Sequence, residues 1–324
     1  MDEHLIFDGH NLAVRCAHAI EAAGLTSASG VPTGEAFAFL KALGGFKTRF
    51  PLAKVTVVWD GSSHKRKAVF DGYKASRGML RKTFPVEYLK GLLPFLSVRQ
   101  AMSPTDEADD VIGVLVRVRS HGEQDRERER SPSASWERER EREEDRFTIV
   151  TTDCDLLQTV TSKVHVLMPP AGAAKDRRET LYGEIEVLAE YGVPVSQLLD
   201  LRALAGDVSD EIPGVPELGP KRAAKLLAFH GSLDAVFEEA LRDKARKRKG
   251  ILASPMTDLQ RKNLREHEGI VRRNLAIMRL SDVDEITYTE GAFKALQATV
   301  LLQKLDIKVD PILDLFFPKQ TAFA

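Results

Sequence analysis

The chain has 324 residues, 43% of them hydrophobic and 29% charged, enough for one large domain or two ordinary ones around a sizeable core. No apolar run approaches the length that crosses a bilayer, and the acidic start "MDEHLIFDGHN" lacks a signal peptide's basic end, so no membrane role is expected. Two cysteines, Cys16 and Cys154, give neither a disulfide framework nor metal-ligand spacing, and a cytoplasmic location is expected.

In chain order, the first strand is predicted at 4–8, "HLIFD", ending in Asp8. A helix is predicted over 34–49, then a second strand at 54–60, "KVTVVWD", ending in Asp60. The stretch from His64 to Lys82 holds seven basic residues, Lys65, Arg66, Lys67, Lys74, Arg77, Arg81 and Lys82, against the single acid Asp71. The net charge of −1 therefore hides a separation of sign. Lys65, Arg66 and Lys67 read as a solvated helix face. Helices follow at 86–96 and 104–119.

The second of these helices opens on "SPTDEADDVIGVLV", four carboxylates in five positions before an apolar run. Ser103 suits the N-cap, Pro104 the first helical position and Asp106 a capping box. First-turn acids stabilise a helix dipole, which accounts for Asp106 and in part for Glu107 but leaves Asp109 and Asp110 unexplained.

Residues 122–146 carry seven arginines and ten acids, a solvated polyampholyte with no core-forming pattern. Because the preceding helix starts at the acidic edge and runs away from it, this insert is expected to emerge on the opposite side. A third strand, "RFTIVTTD" at 146–153, ends in Asp153. Strands alternating with helices of this length imply a mainly parallel sheet covered on both faces. After about residue 195 strand signals fade and short helices take over. No internal repeat is present.

In parallel sheets ligands bind outside the carboxyl ends of the strands. Asp8, Asp60 and Asp153 should share that edge, joined by Glu107, Asp109, Asp110 and Asp155. The stretch "LAGDVSDEIPGVPELGPKRAAKLL" adds Asp207 and Asp210, spaced for one face of a helical turn. One strand-end aspartate is commonly a turn former. Nine acids aimed at one place would repel by several kcal/mol if unpaired. Hard oxygen donors without His or Cys suit Mg²⁺ or Mn²⁺, and so many suggest two ions. Two such ions perform in-line phosphoryl displacement, so the substrate is expected to be a phosphate ester. Lys74 and Arg77 are the expected clamps on its phosphate, with Tyr73 a stacking platform for a terminal base. Gly214 and Gly219 are expected to let backbone approach closely. The helix opening at Pro220, with Lys221 and Arg222, offers N–H groups and charge to duplex phosphates.

The stretches "LIFDGHNLAVRCAHA", "VTVVWDG", "YKASR", "EADDVIGVL", "TIVTTDCDLLQ" and "LRALAGDVSDEIPGVPELGPKRAAKLL" resemble the 5′-nuclease (flap endonuclease) superfamily, most of all the 5′→3′ exonuclease domain at the front of bacterial DNA polymerase I. The resemblance covers most of the chain. It implies a PIN-like α/β fold with a helical arch and a helix–hairpin–helix (helix-three-turn-helix) region. It divides the chain into a nuclease core at 1–195, with the arch at about 64–90 and the insert at about 121–146; a DNA-binding region at 196–290; and a C-terminal segment at 291–324 packing on the core.

The resemblance also assigns roles. Asp8, Asp60, Glu107 and Asp109 correspond to one metal cluster and Asp153, Asp155, Asp207 and Asp210 to the other. Asp109 falls between the two and Asp110 in an outer position. Tyr73, Lys74 and Arg77 match the base of the arch, with Arg81 and Lys82 beyond them. Gly214, Gly219, Lys221 and Arg222 match the DNA-gripping hairpin, where a K⁺ ion is often held. The implied activity is metal-dependent cleavage of DNA with a free or flapped 5′ end, extending to RNA–DNA primer junctions, by a monomer. Single-strand ribonuclease action on the related fold and non-catalytic binding of DNA structures are the alternatives. This sequence departs from the pattern in its charged insert, in Glu211 where an Asn is usual, and in the lead-in "SPTDEADD". Cys154 reads as a small buried filler. No polymerase region follows, so a stand-alone nuclease is expected.

Overall fold

A computed structural model describes residues 3–20, 26–28, 30, 33–75, 86–121, 145–170, 178–242 and 254–317. Its centre is a seven-stranded sheet. Strands β1 (Glu3–Asp8), β2 (Lys54–Trp59), β3 (Arg99–Met102), β4 (Arg146–Val150), β5 (Val164–Met168), β6 (Thr180–Tyr182) and β9 (Thr287–Thr289) lie in the order β6-β5-β4-β1-β2-β3-β9. The five inner strands run parallel, and β6 and β9 close the two edges antiparallel. A further pair, β7 (Gly206–Asp207) and β8 (Ile212–Pro213), forms a separate short hairpin.

Strands β1 and β2 are buried along nearly their whole length, as parallel strands covered on both faces must be. Side-chain alternation divides their apolar residues between two cores. Leu5, Phe7, Val57 and Trp59 face helices α1 (Gly9–Ile20), α2 (Thr33–Arg49) and α4 (Val86–Leu92), the short helix α3 (His64–Val69) coming between β2 and α4 in the chain. Ile6 and Val58 face helix α5 (Ala108–His121) and the 3₁₀ turn Cys154–Thr159, through Ile112, Leu115, Leu156 and Leu157. The order reverses at β1, with β2 on one side and β4 on the other. This switch point opens a crevice at the carboxyl ends of the strands.

After helix α6 (Glu184–Tyr191), helices α7 (Val195–Ala205), α8 (Pro220–His230), α9 (Leu233–Leu241) and α10 (Asp258–Met278) enclose a third core that includes Leu204, Leu218, Leu227, Phe237 and Leu264. Helix α10 opens with a capping box between Thr257 and Gln260. Helices α11 (Ala295–Lys304) and α12 (Val309–Phe316) return to the first core through Leu302, Ile312 and Phe316. Gly44 permits this return, since a Cβ there would lie 2.7 Å from the Leu315 Cβ.

Several sequence expectations need correction. The helix expected over 104–119 begins at Ala108, because Ser103 is spent on a local turn. Its Oγ accepts the Thr105 N–H at 3.3 Å and bonds the Asp106 carboxylate at 2.8 Å. The helix expected over 86–96 ends as a 3₁₀ turn, Leu93–Leu96, with Pro94 inside it. Residues 287–289, within the span expected for the helical region, form strand β9 of the main sheet.

Candidate functional site

Asp8 ends β1, Asp60 follows β2, and Asp153 follows β4 by three residues. These strands are neighbours, so the three aspartates meet at one edge. Asp8 accepts the Asn11 N–H at 3.0 Å and pairs with the Thr151 hydroxyl at 3.3 Å. The Asn11 amide bonds Thr152 at 2.9 Å and 3.1 Å, tying the loops after β1 and β4 together. The Asp60 N–H donates to His10 Nδ1 at 3.0 Å, and the Asp60 carboxylate accepts the Ala108 N–H at 2.9 Å. Beside it, Gly61 is obligatory, since a Cβ would lie 1.9 Å from the Ser103 carbonyl oxygen.

Mutual repulsion shows which acids share this space. Burial, reinforced by the Asp60 charge and then Asp153, pushes the Asp8 carboxyl up to about 7. Burial, then Asp153 and Asp8, holds Asp109 well above the carboxylate range. Burial also pushes Asp155 up to about 7; Arg202 opposes this, while Asp153 and Asp210 add to it. Asp8, Asp60, Asp109 and Asp153 thus form one group, and Asp153, Asp155 and Asp210 a second that shares Asp153.

Three buried or largely buried cations answer these acids. Lys74 Nζ lies 2.9 Å from Glu107, and against the cost of burial its charge is reinforced by Asp109, Glu107 and Asp210. Its backbone is left-handed, at φ 51°, and its N–H reaches the Asp210 carbonyl at 3.4 Å. Arg66 bonds Glu107, Asp110 at 2.8 Å and the Ile277 carbonyl at 3.0 Å. Burial disfavours the Glu107 charge, yet Lys74 and Arg66 prevail and bring its carboxyl down to about 2. Arg202 reaches Asp155 at 2.7 Å and Asp207 at 2.6 Å.

These contacts overturn three readings and place Asp110. Arg66, expected on a solvated face, is 8% exposed and clamps two acids. Tyr73, expected as a stacking platform, is 2% exposed with its hydroxyl on Glu107 at 3.0 Å, so no base can lie on its ring in this arrangement. Asp110, given an outer position, binds Arg66 and the Ser281 N–H at 2.7 Å, turned from Asp109 because neighbouring helical residues point about 100° apart. Asp207 and Asp210 lie on the β7–β8 turn and not on a helix. Gly206 at φ 76° ends α7, and Asp207 accepts the Ser209 N–H at 2.7 Å in a local turn.

Asp106, the remaining acid of the opening run, is a brace on Lys65 at 2.6 Å. Gly214 makes the expected close approach: a Cβ there would lie 2.1 Å from the Ala205 carbonyl oxygen. Gly219 does not. It caps α8 with open space beyond it. Lys221 and Arg222 are exposed, Arg222 pairing with Glu217. Arg77, Arg81 and Lys82 lie outside the described residues, as does 122–144 of the insert.

Sequence reasoning missed Asn11, Thr151, Thr152, Arg66 and Arg202. For Arg202 the signal was a lone cation in the otherwise apolar end of "VSQLLDLRALA". Among the described residues no three His, Cys, Asp or Glu side chains are arranged ready to hold a metal ion. The acids lean on Lys74, Arg66 and Arg202 instead. The donor set nonetheless fits a hard dication, being all carboxylate oxygen, buried and mutually repelling beyond what three cations offset.

The fold and site together define a class, a resolvase-like α/β domain with an acidic crevice at its carboxyl edge and a helical module beside it. Residues 3–127 match the family model "5′-3′ exonuclease, N-terminal resolvase-like domain", and residues 193–297 match "5′-3′ exonuclease, C-terminal SAM fold". The chain belongs to the 5′-3′ exonuclease family. It is 34% identical over 259 residues to the thermostable DNA polymerase I of Thermus aquaticus, covering 79% of this chain and 27% of that one. With the DNA polymerase I of Deinococcus radiodurans it shares 33% identity over 242 residues, covering 74% and 22%. The chain spans about a quarter of the length of these relatives.

Similar folds occur in T5 5′-exonuclease bound to divalent metal ions (zinc) and in the catalytic core of Rad2 in complex with DNA substrate. For the first the TM-score is 0.61 at 21% identity, covering 97% of this chain and 96% of that one. For the second it is 0.60 at 14% identity, covering 98% and 92%.

Proposed function

We propose that the chain is a metal-dependent 5′→3′ exonuclease and structure-specific 5′-flap endonuclease, hydrolysing phosphodiester bonds in DNA. The observation that carries this reading is the meeting of Asp8, Asp60, Asp109 and Asp153 at one sheet edge, with Lys74 buried among them. Membership of the 5′-3′ exonuclease family supports the reaction. The DNA complex of Rad2 and the metal-bound T5 5′-exonuclease support the ligands.

Asp8, Asp60 and Asp109 supply oxygen donors for one divalent ion, and Asp155, Asp207 and Asp210 for the other, with Asp153 between them. When bound, two Mg²⁺ or Mn²⁺ ions supply water activation and charge stabilisation of the leaving oxygen. Glu107 would share its carboxylate between Lys74, Arg66 and the first ion. Lys74 and Arg77 are the cations assigned to the scissile phosphate. Arg81 and Lys82 are assigned to binding DNA. The start of α8, with Gly219, Lys221 and Arg222, grips duplex phosphates through N–H groups and charge, alongside a K⁺ ion near Gly214. The nuclease core takes in residues 1–195 and strand β9, the DNA-gripping region covers 196–286, and the segment from 291 packs on the core through α11 and α12. The substrates are DNA with free or flapped 5′ ends and RNA–DNA primer junctions, and the protein acts as a monomer in the cytoplasm. Among the described residues no helix is long and apolar enough to cross a membrane.

The test is product mapping on a 5′-labelled double-flap DNA with Mg²⁺ and with excess EDTA. Cleavage near the flap junction is expected with Mg²⁺ alone, and it should vanish in Asp153→Ala while DNA binding persists. Undiminished cleavage in EDTA would overturn the reading.

A further inference from the structure

Two arginines hold acids at the crevice, and they do so differently. Arg66 is fully engaged: Nε bonds the Ile277 carbonyl, one terminal nitrogen bonds Glu107 and the other bonds Asp110. Arg202 shares one terminal nitrogen between two carboxylates, Asp155 at 2.7 Å and Asp207 at 2.6 Å. Its Nε is buried without a hydrogen-bond partner, and so is the Asp155 oxygen nearest to it, for which the approach is too oblique to be a hydrogen bond. A guanidinium that uses its planar fork fills all its donors; this one makes a hydrogen bond to Asp207 and meets Asp155 by charge alone.

Charge also makes it replaceable. One cation between Asp155 and Asp207 leaves a net negative charge beside Asp153 and Asp210, which both neighbour Asp155. A dication at the same place neutralises more of it. The two cannot occupy one position, because like charges a few ångströms apart repel.

We propose that Arg202 is a displaceable counter-cation. It occupies the Asp155–Asp207 position in the metal-free protein and must withdraw when the second divalent ion enters. It is a positioning residue that weakens this ion's binding and keeps the acids paired until it arrives. The inference rests on the two-ion reading above and adds a determinant of affinity to it.

The test is titration of the full chain with Mn²⁺, without DNA, reading free Mn²⁺ by electron paramagnetic resonance. The wild type is expected to bind two ions, one more weakly. In Arg202→Gln the weaker ion should bind about tenfold tighter with the other unchanged, while Arg202→Lys should stay near the wild type. If the wild type binds fewer than two ions, the two-ion reading falls and this inference with it. If it binds two, and Arg202→Gln leaves the weaker one unchanged or weaker still, only the role of Arg202 is overturned. A second measurement needs no variant. The Arg202 Nε–H nuclear magnetic resonance signal should move as the weaker site fills with Mg²⁺, and a signal that stays fixed at saturation would overturn the inference.

Discussion

Asp60 accepts the backbone N–H of Ala108 at 2.9 Å, so the acid that closes β2 also caps the helix bearing Asp109. One carboxylate thus both lines the crevice and anchors its neighbour's position. The two roles separate by substitution. Asp60→Asn keeps an oxygen acceptor and should lose cleavage while melting within a degree or two of the wild type. Asp60→Ala should lose cleavage and also about 0.5–2 kcal/mol of stability, as loss of a cap commonly costs. Thermal melts of both variants, with a flap-cleavage assay, check this; equal melting of the two would remove the capping role.

The Asp8 carboxyl, pushed up to about 7, makes the metal-free fold sensitive to pH. Between its ordinary range and about 7 the folded protein holds a proton that the unfolded chain has released. Stability therefore falls as pH rises through that window. A divalent ion replaces the proton and favours the opposite direction. Added Mg²⁺ should raise the melting temperature more at a pH of about 8 than at about 6. A Mg²⁺ effect that is equal at both, measured against EDTA controls, would contradict this assignment.

Gly61 and Gly219 should respond oppositely to alanine. At Gly61 a Cβ meets backbone at 1.9 Å, so Gly61→Ala must displace the loop at 103–106 and should cost roughly 3 kcal/mol or more in urea denaturation. At Gly219 the space is open and φ is −64°, so Gly219→Ala should change stability by about 1 kcal/mol or less. If the start of α8 grips DNA, that variant should still bind duplex several-fold more weakly by fluorescence anisotropy. Unchanged affinity would separate Gly219 from the interface.

Helix α5 begins at the acidic edge with Ala108 and runs to His121, while β4 starts at Arg146, the amino end of a strand whose carboxyl end leads to Asp153. Both flanks of the insert therefore leave from the edge opposite the acids. Deleting 123–144 with a short Gly/Ser bridge should leave flap cleavage within about twofold of the wild type. A loss of tenfold or more in steady-state assays would show that the insert acts at the crevice.

Strand ends were legible in the sequence because their signal is local. Short buried runs ending in Asp8, Asp60 and Asp153 declare both the strand and the edge where it stops, and parallel topology brings the edges together. The same locality explains the errors. Ser103 and Pro104 carry good helix-opening chemistry, yet the chain beside Gly61 occupies that place and delays the helix to Ala108. Strand β9 had no local signature, since an edge strand of three exposed residues is too short to show a period, and the packing of 291–324 on the core was implied by the resemblance and not by any local pattern.

What the sequence determined by itself is which acids exist, in what order, and on which ends of which strands. What only the tertiary structure decided is which of them stand free and which are already held. Arg66 meets Ile277 across 211 positions, and Arg202 meets Asp155 across 47. Periodicity and capping rules reach only a few residues along the chain, whereas a buried charge finds its partner through space, wherever packing places an opposite one.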